Sequence, residues 1–201
     1  MLSQANLLVR IARIKEMKGE RSSKAISKAF SLLEKKKEKL PPEYLSFSTA
    51  ILIPVLREQG KKEKAIKKLN EVVEFARTRE KNKRMQLLLA EALATLADLE
   101  VEKDTEKSHS HYREASKIYE KYGLEDKVGE IAVNRSDIYL KEGEPENALE
   151  LIYKIKEKVK SKRVKAALLK NEIETLKREG KEKEVERAHS ELQKIREEIR
   201  E

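Results

Sequence analysis

The chain has 201 residues, of which 38% are hydrophobic and 41% charged, with no cysteine and a net charge of +9. A chain without cysteine has no disulfide bond, no thiolate nucleophile and no cysteine-ligated zinc. Six glycines and four prolines are too few for a turn-rich β protein, and the abundance of Leu, Ala, Glu, Lys and Arg favours helix. We therefore expect a folded helical protein with thin cores and a heavily charged surface.

The sequence also predicts where the protein resides. No apolar stretch approaches the roughly 18 residues that a membrane helix requires, and the opening MLSQANLLVRIARIK places arginines after a short apolar run, unlike a signal peptide. We expect a cytoplasmic protein without a membrane segment. The excess of Lys and Glu, together with the missing Cys, resembles thermophile composition.

The first two helical pairs are read from apolar residues at helical spacing. The first pair turns at Gly19 and ends at Pro41 and Pro42, which open the next helix because proline suits a first turn. The second pair turns at Gly60. Pro54 interrupts its first helix and predicts a kink, either static or acting as a hinge.

Three further pairs follow in the same way. The third has a first helix from about Met85 to Val101 and a turn near Asp104, and the later pairs turn at Gly143 and Gly180. Gly143 predicts a left-handed residue that ends a helix, and Glu144-Pro145-Glu146 starts the next one. The small Ala148 predicts a close approach of the two helices.

The five turns recur at intervals of 41, 44, 39 and 37 residues. A period of 20–50 residues, with one helical pair in each period, is typical of an α-solenoid, in which neighbouring pairs share a core. We therefore predict one solenoid domain over residues 1–201. Its units span approximately residues 1–40, 41–80, 81–122, 123–160 and 161–201.

The pattern Tyr139…Gly143…Ala148 resembles a tetratricopeptide repeat, as does Gly60…Ala65. Residues 111–149 resemble the longer, roughly forty-residue variety of that repeat. The resemblance implies an all-α, right-handed superhelix of about five antiparallel helix pairs. It also implies that the first helix of each pair lines a concave groove.

The groove supplies the candidate binding residues. Counting back from each turn glycine, the positions 13, 10, 9, 6, 3 and 2 residues earlier share one helical face. Asn134 and Asn171 occupy the same position in adjacent units, and a side-chain amide can donate to and accept from a peptide backbone. The predicted partner-binding residues are Asn134, Asp137, Lys141, Lys170, Asn171, Lys177 and Arg178.

The same count makes the groove acidic in the middle and basic at both ends. The third unit presents Glu91, Asp98 and Glu102, whereas the first presents Arg10 and Arg13. The carboxylate clamp of the family's chaperone-tail binders uses lysine, asparagine and arginine. Acidic residues at Glu91 and Asp98 do not fit that clamp.

A basic N-terminal region supports a different reading. Residues 1–40 carry 11 basic and 4 acidic side chains, so most of the net charge lies there. Several phosphate contacts would give salt-sensitive RNA binding, although the region has one aromatic residue, Phe30, at core spacing. The residues of this possible basic face are Arg10, Arg13, Lys35, Lys36, Lys37 and Lys39.

Residues that could carry chemistry are few. His109 and His111 lie two apart and point about 200° apart on a helix, so they do not share a metal, and we expect an exposed polar stretch. His189 is expected at the surface or in packing. Acidic pairs are read as solvated surface charges, and no nucleotide-binding or nucleophile motif is present.

The last helix carries Val185, Ala188, Leu192, Ile195 and Ile199 at alternating steps of three and four. This narrow apolar stripe favours a terminal capping helix over a coiled-coil seam.

Together these features predict a non-catalytic scaffold or adaptor without cofactor or metal. It would bind a peptide or helix of another protein in the groove. The alternatives are an RNA-binding accessory protein and an oligomerisation or sensor module of a larger assembly.

Overall fold

The computed structural model describes residues 60–200. Within that range the chain forms seven α-helices and no strand. The helices are α1 (Lys62–Arg77), α2 (Lys83–Glu100), α3 (Thr105–Lys121), α4 (Glu125–Glu142), α5 (Pro145–Lys156), α6 (Lys162–Arg178) and α7 (Glu182–Arg200).

Several predictions lie outside the described residues. These are the first unit, residues 41–59 of the second unit, the kink at Pro54 and the whole basic face formed by Arg10, Arg13, Lys35, Lys36, Lys37 and Lys39. None of the helices between residues 60 and 200 is long and apolar enough to cross a membrane.

The chain divides into two compact units between Leu99 and Glu100. In the first, α1 buries one apolar stripe at helical spacing, Ala65, Leu69, Val72, Val73 and Ala76. In the second, α4 packs against α3, α5 and α6, and α6 packs against α5 and α7. The second compact part, residues 100–201, contains the candidate site.

The predicted turns lie where the helices end or begin. Gly143 has φ +78°, and its N–H bonds to the carbonyl of Tyr139, so the predicted left-handed helix end is confirmed. Pro145 occupies the first turn of α5. At the glycine-free turn, Asp104 caps α3 by accepting a hydrogen bond from Lys107 N at 2.9 Å.

Two glycines have roles that the repeat pattern did not predict. Gly123, with φ +65°, separates α3 from α4. Gly129 lies inside α4 where a Cβ atom would stand 2.7 Å from both Val159 Cγ2 and Val164 Cγ1. Glycine at this position therefore lets α4 approach the segment that leads into α6.

An apolar cluster joins α5, α6 and α7. It contains Leu149, Ala166, Leu169, Ile173, Leu176, Ala188, Leu192 and Ile195, with Val185 packed against it. The apolar stripe of α7 thus packs against α6, except that Ile199 near its end is 38% exposed, and the role of α7 as a terminal cap stays a prediction. Ala148, the predicted close-approach residue, is fully buried.

Candidate functional site

Helices α4 and α6 are the first helices of consecutive pairs, and they pack side by side. Their shared polar surface, here the first-helix face, contains every predicted partner-binding residue. Its members are Glu130, Asn134, Asp137, Lys141, Lys170, Asn171, Glu174, Lys177 and Arg178. All are exposed except Asn171, which is half-buried.

Asn171 of α6 is bonded to α4. Its Nδ2 lies 2.8 Å from Ser136 Oγ, 2.8 Å from Asp137 Oδ1 and 3.1 Å from the carbonyl oxygen of Val133. Ser136 is fully buried and donates to the same Val133 carbonyl at 2.8 Å. The amide of Asn171 therefore satisfies acceptors on the neighbouring helix.

Two further polar contacts join the same helices near their ends. Asp126 of α4 accepts hydrogen bonds from the backbone N–H groups of Lys160 and Ser161, both at 2.8 Å, just before α6 begins. At the other end, an Arg178 guanidinium N–H donates to the carbonyl of Leu140 at 2.6 Å. We call Asp126, Asn171 and Arg178 the α4/α6 seam.

The seam changes how three of the predicted binding residues are understood. Asp137, Asn171 and Arg178 bond within the chain and help fix α6 against α4, and their binding of a partner stays a prediction. Burial raises the pKa of the Asp137 carboxyl above its usual value, although the Asn171 hydrogen bond and the charge of Lys141 oppose that shift.

Lys170 and Lys177 differ from most of their neighbours on this face. Both are exposed, and within residues 60–200 neither makes a hydrogen bond or an ion pair. They lie seven residues apart on α6, about 10 Å along the axis at 1.5 Å per residue. These two ammonium groups are therefore available to anionic groups of a ligand.

The acidic residues predicted for the third unit have different surroundings. Glu91 is exposed on α2, and Asp98 on the same helix is half-buried. Glu102 is exposed in the turn after α2. Their place in a binding groove stays a prediction.

The predicted exposure of the histidine pair is wrong. His109 is 3% exposed and lies against α4. Its ring stacks on Tyr139 at 4.5 Å between centroids, Nε2 lies 3.2 Å from Glu142 Oε2, and Arg135 Nε donates to Nδ1 at 3.5 Å. Hydrogen bonding from Thr105 lowers the pKa of Glu142; burial opposes that shift, and His109 adds to the lowering.

His111 points to another carboxylate. Its Nε2 lies 3.1 Å from Glu100 Oε2, and Lys107 donates to the other Glu100 oxygen at 2.6 Å. The sequence contained a signal for the burial of His109. A buried stripe runs along α3 at steps of four, three and four, formed by Ser108, Tyr112, Ala115 and Tyr119. His109 adjoins that stripe.

The sequence predicted that the acidic residues are solvated surface charges, and for some of them this is wrong. Glu172 on α6 is 5% exposed and accepts a hydrogen bond from Lys156 Nζ at 2.8 Å, while Glu191 Oε2 on α7 lies 3.5 Å from the same nitrogen. Burial lowers the pKa of Lys156, but the hydrogen bond to Glu172 and the nearby carboxylates raise it above its usual value. Lys156 and its two carboxylates therefore join the three helices α5, α6 and α7.

No group of three or more His, Asp or Glu residues in the described part of the chain could hold a metal ion. His189, expected at the surface or in packing, is exposed on α7 and lines a concavity.

Two solved structures are similar to nearly the whole chain. BtubC (BKLC) from P. vanneervenii is 14% identical, with a TM-score of 0.70 over 99% of this chain and 91% of that one. The nearly identical TPR-like repeats of a protein assigned as a kinesin light chain in Podospora anserina are also 14% identical. They have a TM-score of 0.76 over 99% of this chain and 98% of that one.

No family model and no curated protein sequence matches the chain. The structural similarity confirms the predicted fold class, an all-α, tetratricopeptide-like superhelical repeat. The TM-scores establish the fold, and an identity of 14% carries no residue-level function from those proteins to this one.

Proposed function

We propose that the chain is a non-catalytic scaffold that binds a peptide or helix of another protein on its first-helix face. The observation that carries the proposal is the pair Lys170 and Lys177, which are exposed and lack partners within residues 60–200. Charged side chains aligned on one helix face favour a partner of complementary charge. We expect the bound segment to contribute carboxylates to these lysines.

The seam supports the same proposal. Asp126, Asn171 and Arg178 fix α6 against α4 at three points along their length. Binding residues on rigid, mutually fixed helices lose less conformational entropy when a ligand binds. Two first helices held in this way provide a preorganised platform for the partner.

The test is site-specific photocrosslinking in a lysate of the source organism. A photoreactive amino acid replaces Lys177 in one variant and Lys154, which is exposed on α5, in the control. We expect a discrete crosslinked protein from position 177 and none from position 154. Equal crosslinking at both positions, or at neither, contradicts the proposal.

A charge-reversal pair adds the energetic test. K170E/K177E should reduce capture of the crosslinked protein about tenfold, since two favourable charges become repulsive. K154E/K158E makes the same change of charge at the end of α5 and two residues beyond it, where both side chains are exposed, and should leave capture within about twofold of wild type. Equal losses in the two variants contradict binding at the first-helix face.

RNA binding through the basic face remains the second candidate. It is favoured by the 11 basic and 4 acidic residues among the first forty. It predicts that RNase abolishes capture, that binding weakens steeply with salt, and that neutralising Lys35, Lys36, Lys37 and Lys39 removes it. Insensitivity to RNase contradicts this candidate. A cytoplasmic location is part of either proposal.

A further inference from the structure

One face of α7 is exposed, although the equivalent face of α5 in the preceding repeat unit is covered. In that unit, Leu149 and Lys156 lie six and thirteen residues after the turn Gly143. Both point at α6, since Leu149 belongs to the apolar cluster and Lys156 bonds to Glu172. Counted from Gly180, the equivalent residues of α7 are Glu186 and Gln193, and both are exposed.

This uncovered side of α7 borders a concavity of about 500 Å³. The residues that line it in the described chain are His189, Ser190, Leu192, Gln193, Arg196, Glu197 and Arg200. His189, Gln193, Arg196 and Arg200 succeed one another by four, three and four, so they form one stripe of about three helical turns. We call these four residues the α7 stripe.

The charges of the stripe indicate what would cover it. Arg196 and Arg200 are exposed, and neither has a hydrogen bond or ion pair among residues 60–200. The adjacent carboxylate, Glu197, accepts a hydrogen bond from Gln193 at 3.2 Å. The stripe therefore presents two available guanidinium groups one turn apart.

The chain itself shows how such a face is covered. On α5, the covering helix α6 supplies both apolar side chains and a carboxylate, Glu172, to the cation Lys156. A helix that covered α7 in the same way would supply carboxylates to Arg196 and Arg200. Ile199, 38% exposed nearby along the helix, offers the occupant apolar contact, whereas Leu192 lines the concavity but is 4% exposed and packs in the apolar cluster.

We propose that the α7 stripe docks an acidic amphipathic helix of another protein, in the position on α7 that α6 takes on α5. The occupant has about three turns, an apolar side and two carboxylates one turn apart. Arginine suits this role because its planar guanidinium can bind a carboxylate through two parallel hydrogen bonds. The docking surface is separate from the first-helix face, so it holds or fails independently of the proposed function.

The experiment uses the full chain and a phage-displayed library of 18-residue helices with a fixed leucine stripe and randomised flanking positions. We expect selected helices to carry acidic pairs three or four residues apart. Their affinity, measured with synthetic peptides, should fall roughly tenfold in R196E/R200E and by a smaller factor in R196K/R200K, which keeps the charge but loses the two parallel hydrogen bonds.

The matched control is K183E/R187E, which makes the same change of charge at exposed residues of the same helix and should alter affinity by less than about twofold. Selected helices without acidic pairs, no selected helix, or equal losses in the two variants would overturn the proposal. Peptides whose affinity falls in K170E/K177E and not in R196E/R200E bind the first-helix face, and such a result would contradict docking at the α7 stripe. Light scattering supplies the last outcome: a dimer that R196E/R200E dissociates would assign the stripe to a second copy and overturn docking of another protein.

Discussion

Helix α6 is held by different contacts on its two sides. Toward α4 it is joined at the edge of the first-helix face by polar groups, with Asn171 half-buried and Arg178 exposed. Toward α5 and α7 it buries Leu169 and Leu176 completely, together with the charged Glu172. Both sides use hydrogen bonds, but only the second takes a charge almost fully out of water.

The two sides of α6 contribute differently to its orientation and to the stability of the fold. A hydrogen bond at a solvated edge exchanges protein partners for water and contributes about 1 kcal/mol. A buried ion pair contributes little net free energy when intact, yet the loss of one partner leaves a desolvated charge and costs about 3 kcal/mol. We therefore expect the α4 side to set the position of α6, and the α5/α7 side to dominate the effect of mutations on unfolding.

The largest effect is expected on the buried side. Glu172→Ala leaves Lys156 with Glu191, at 3.5 Å, as its nearest carboxylate. We expect the free energy of unfolding to fall by about 3 kcal/mol, measured by urea denaturation at pH 7.

Glu174→Ala is the control for that measurement, because Glu174 is exposed on the same helix and pairs with Arg178 across the surface. It should cost less than about 1 kcal/mol. Replacing Lys156 and Glu172 together by methionine should cost less than Glu172→Ala alone. Equal costs for Glu172→Ala and Glu174→Ala would show that burial does not distinguish the two sides.

A smaller effect is expected where α4 approaches the start of α6. Gly129→Ala places a methyl group 2.7 Å from Val159 Cγ2 and Val164 Cγ1. Overpacking typically costs about 1–3 kcal/mol, while alanine gains about 1 kcal/mol over glycine in a helix. We expect a net destabilisation of about 1 kcal/mol in the free energy of unfolding.

The double variant Gly129→Ala with Val164→Ala tests the cause, because removing one valine makes room for the new methyl group. Its cost should be less than the sum of the two single costs. A stabilising Gly129→Ala would instead mean that helix propensity outweighs the close contact.

The seam predicts a still more local change. Asn171→Ala removes the amide that reaches Val133, Ser136 and Asp137. We expect about 1 kcal/mol of lost stability and faster amide hydrogen exchange in α4 and α6. Lys170→Ala, one residue away and exposed, should change neither measurement, and unchanged exchange in Asn171→Ala would contradict an orienting role for the seam.

The smallest effect concerns the pH dependence of Asp137. Because burial raises its pKa in the folded protein above the ordinary 3.8, ionisation of this carboxyl opposes folding. The stabilisation from its protonated form is fully present below pH 3.8 and is lost as the pH rises through the folded pKa. Asp137→Asn should therefore be slightly more stable than wild type at pH 7, and the difference should disappear near pH 3.

Denaturation at the two pH values measures this difference, and an NMR titration of the carboxyl gives the folded pKa directly. A value at or below 3.8 would mean that the hydrogen bond from Asn171 outweighs burial. The Asp137→Asn difference would then be absent or reversed at neutral pH.

Much of the helical architecture could be predicted from local patterns. The turns at Gly143 and Gly180 follow from backbone geometry, since a left-handed residue after a helix favours glycine, and both have positive φ. The apolar stripes of α1 and α7 follow from the helical period. Likewise, the α4 and α6 residues of the candidate site share one surface because their offsets from the turn glycines are equal.

Other features depended on which helices meet. No local pattern distinguished Glu172, which is buried beside Lys156, from the exposed Glu174 two residues later. His109 was mistaken for a surface residue because its partners, Tyr139 and Glu142, lie on a different helix.

By itself, the sequence determined the helical repeat, most of its turns and the face that carries the candidate binding residues, because these depend on spacing along one helix. Only the tertiary structure decided which polar residues on that face are engaged. Asn171 and Arg178 bond to α4, whereas Lys170 and Lys177 have no partner in the described part of the chain. The physical reason is that a hydrogen bond between helices depends on distance and orientation across their interface, and helical periodicity carries neither.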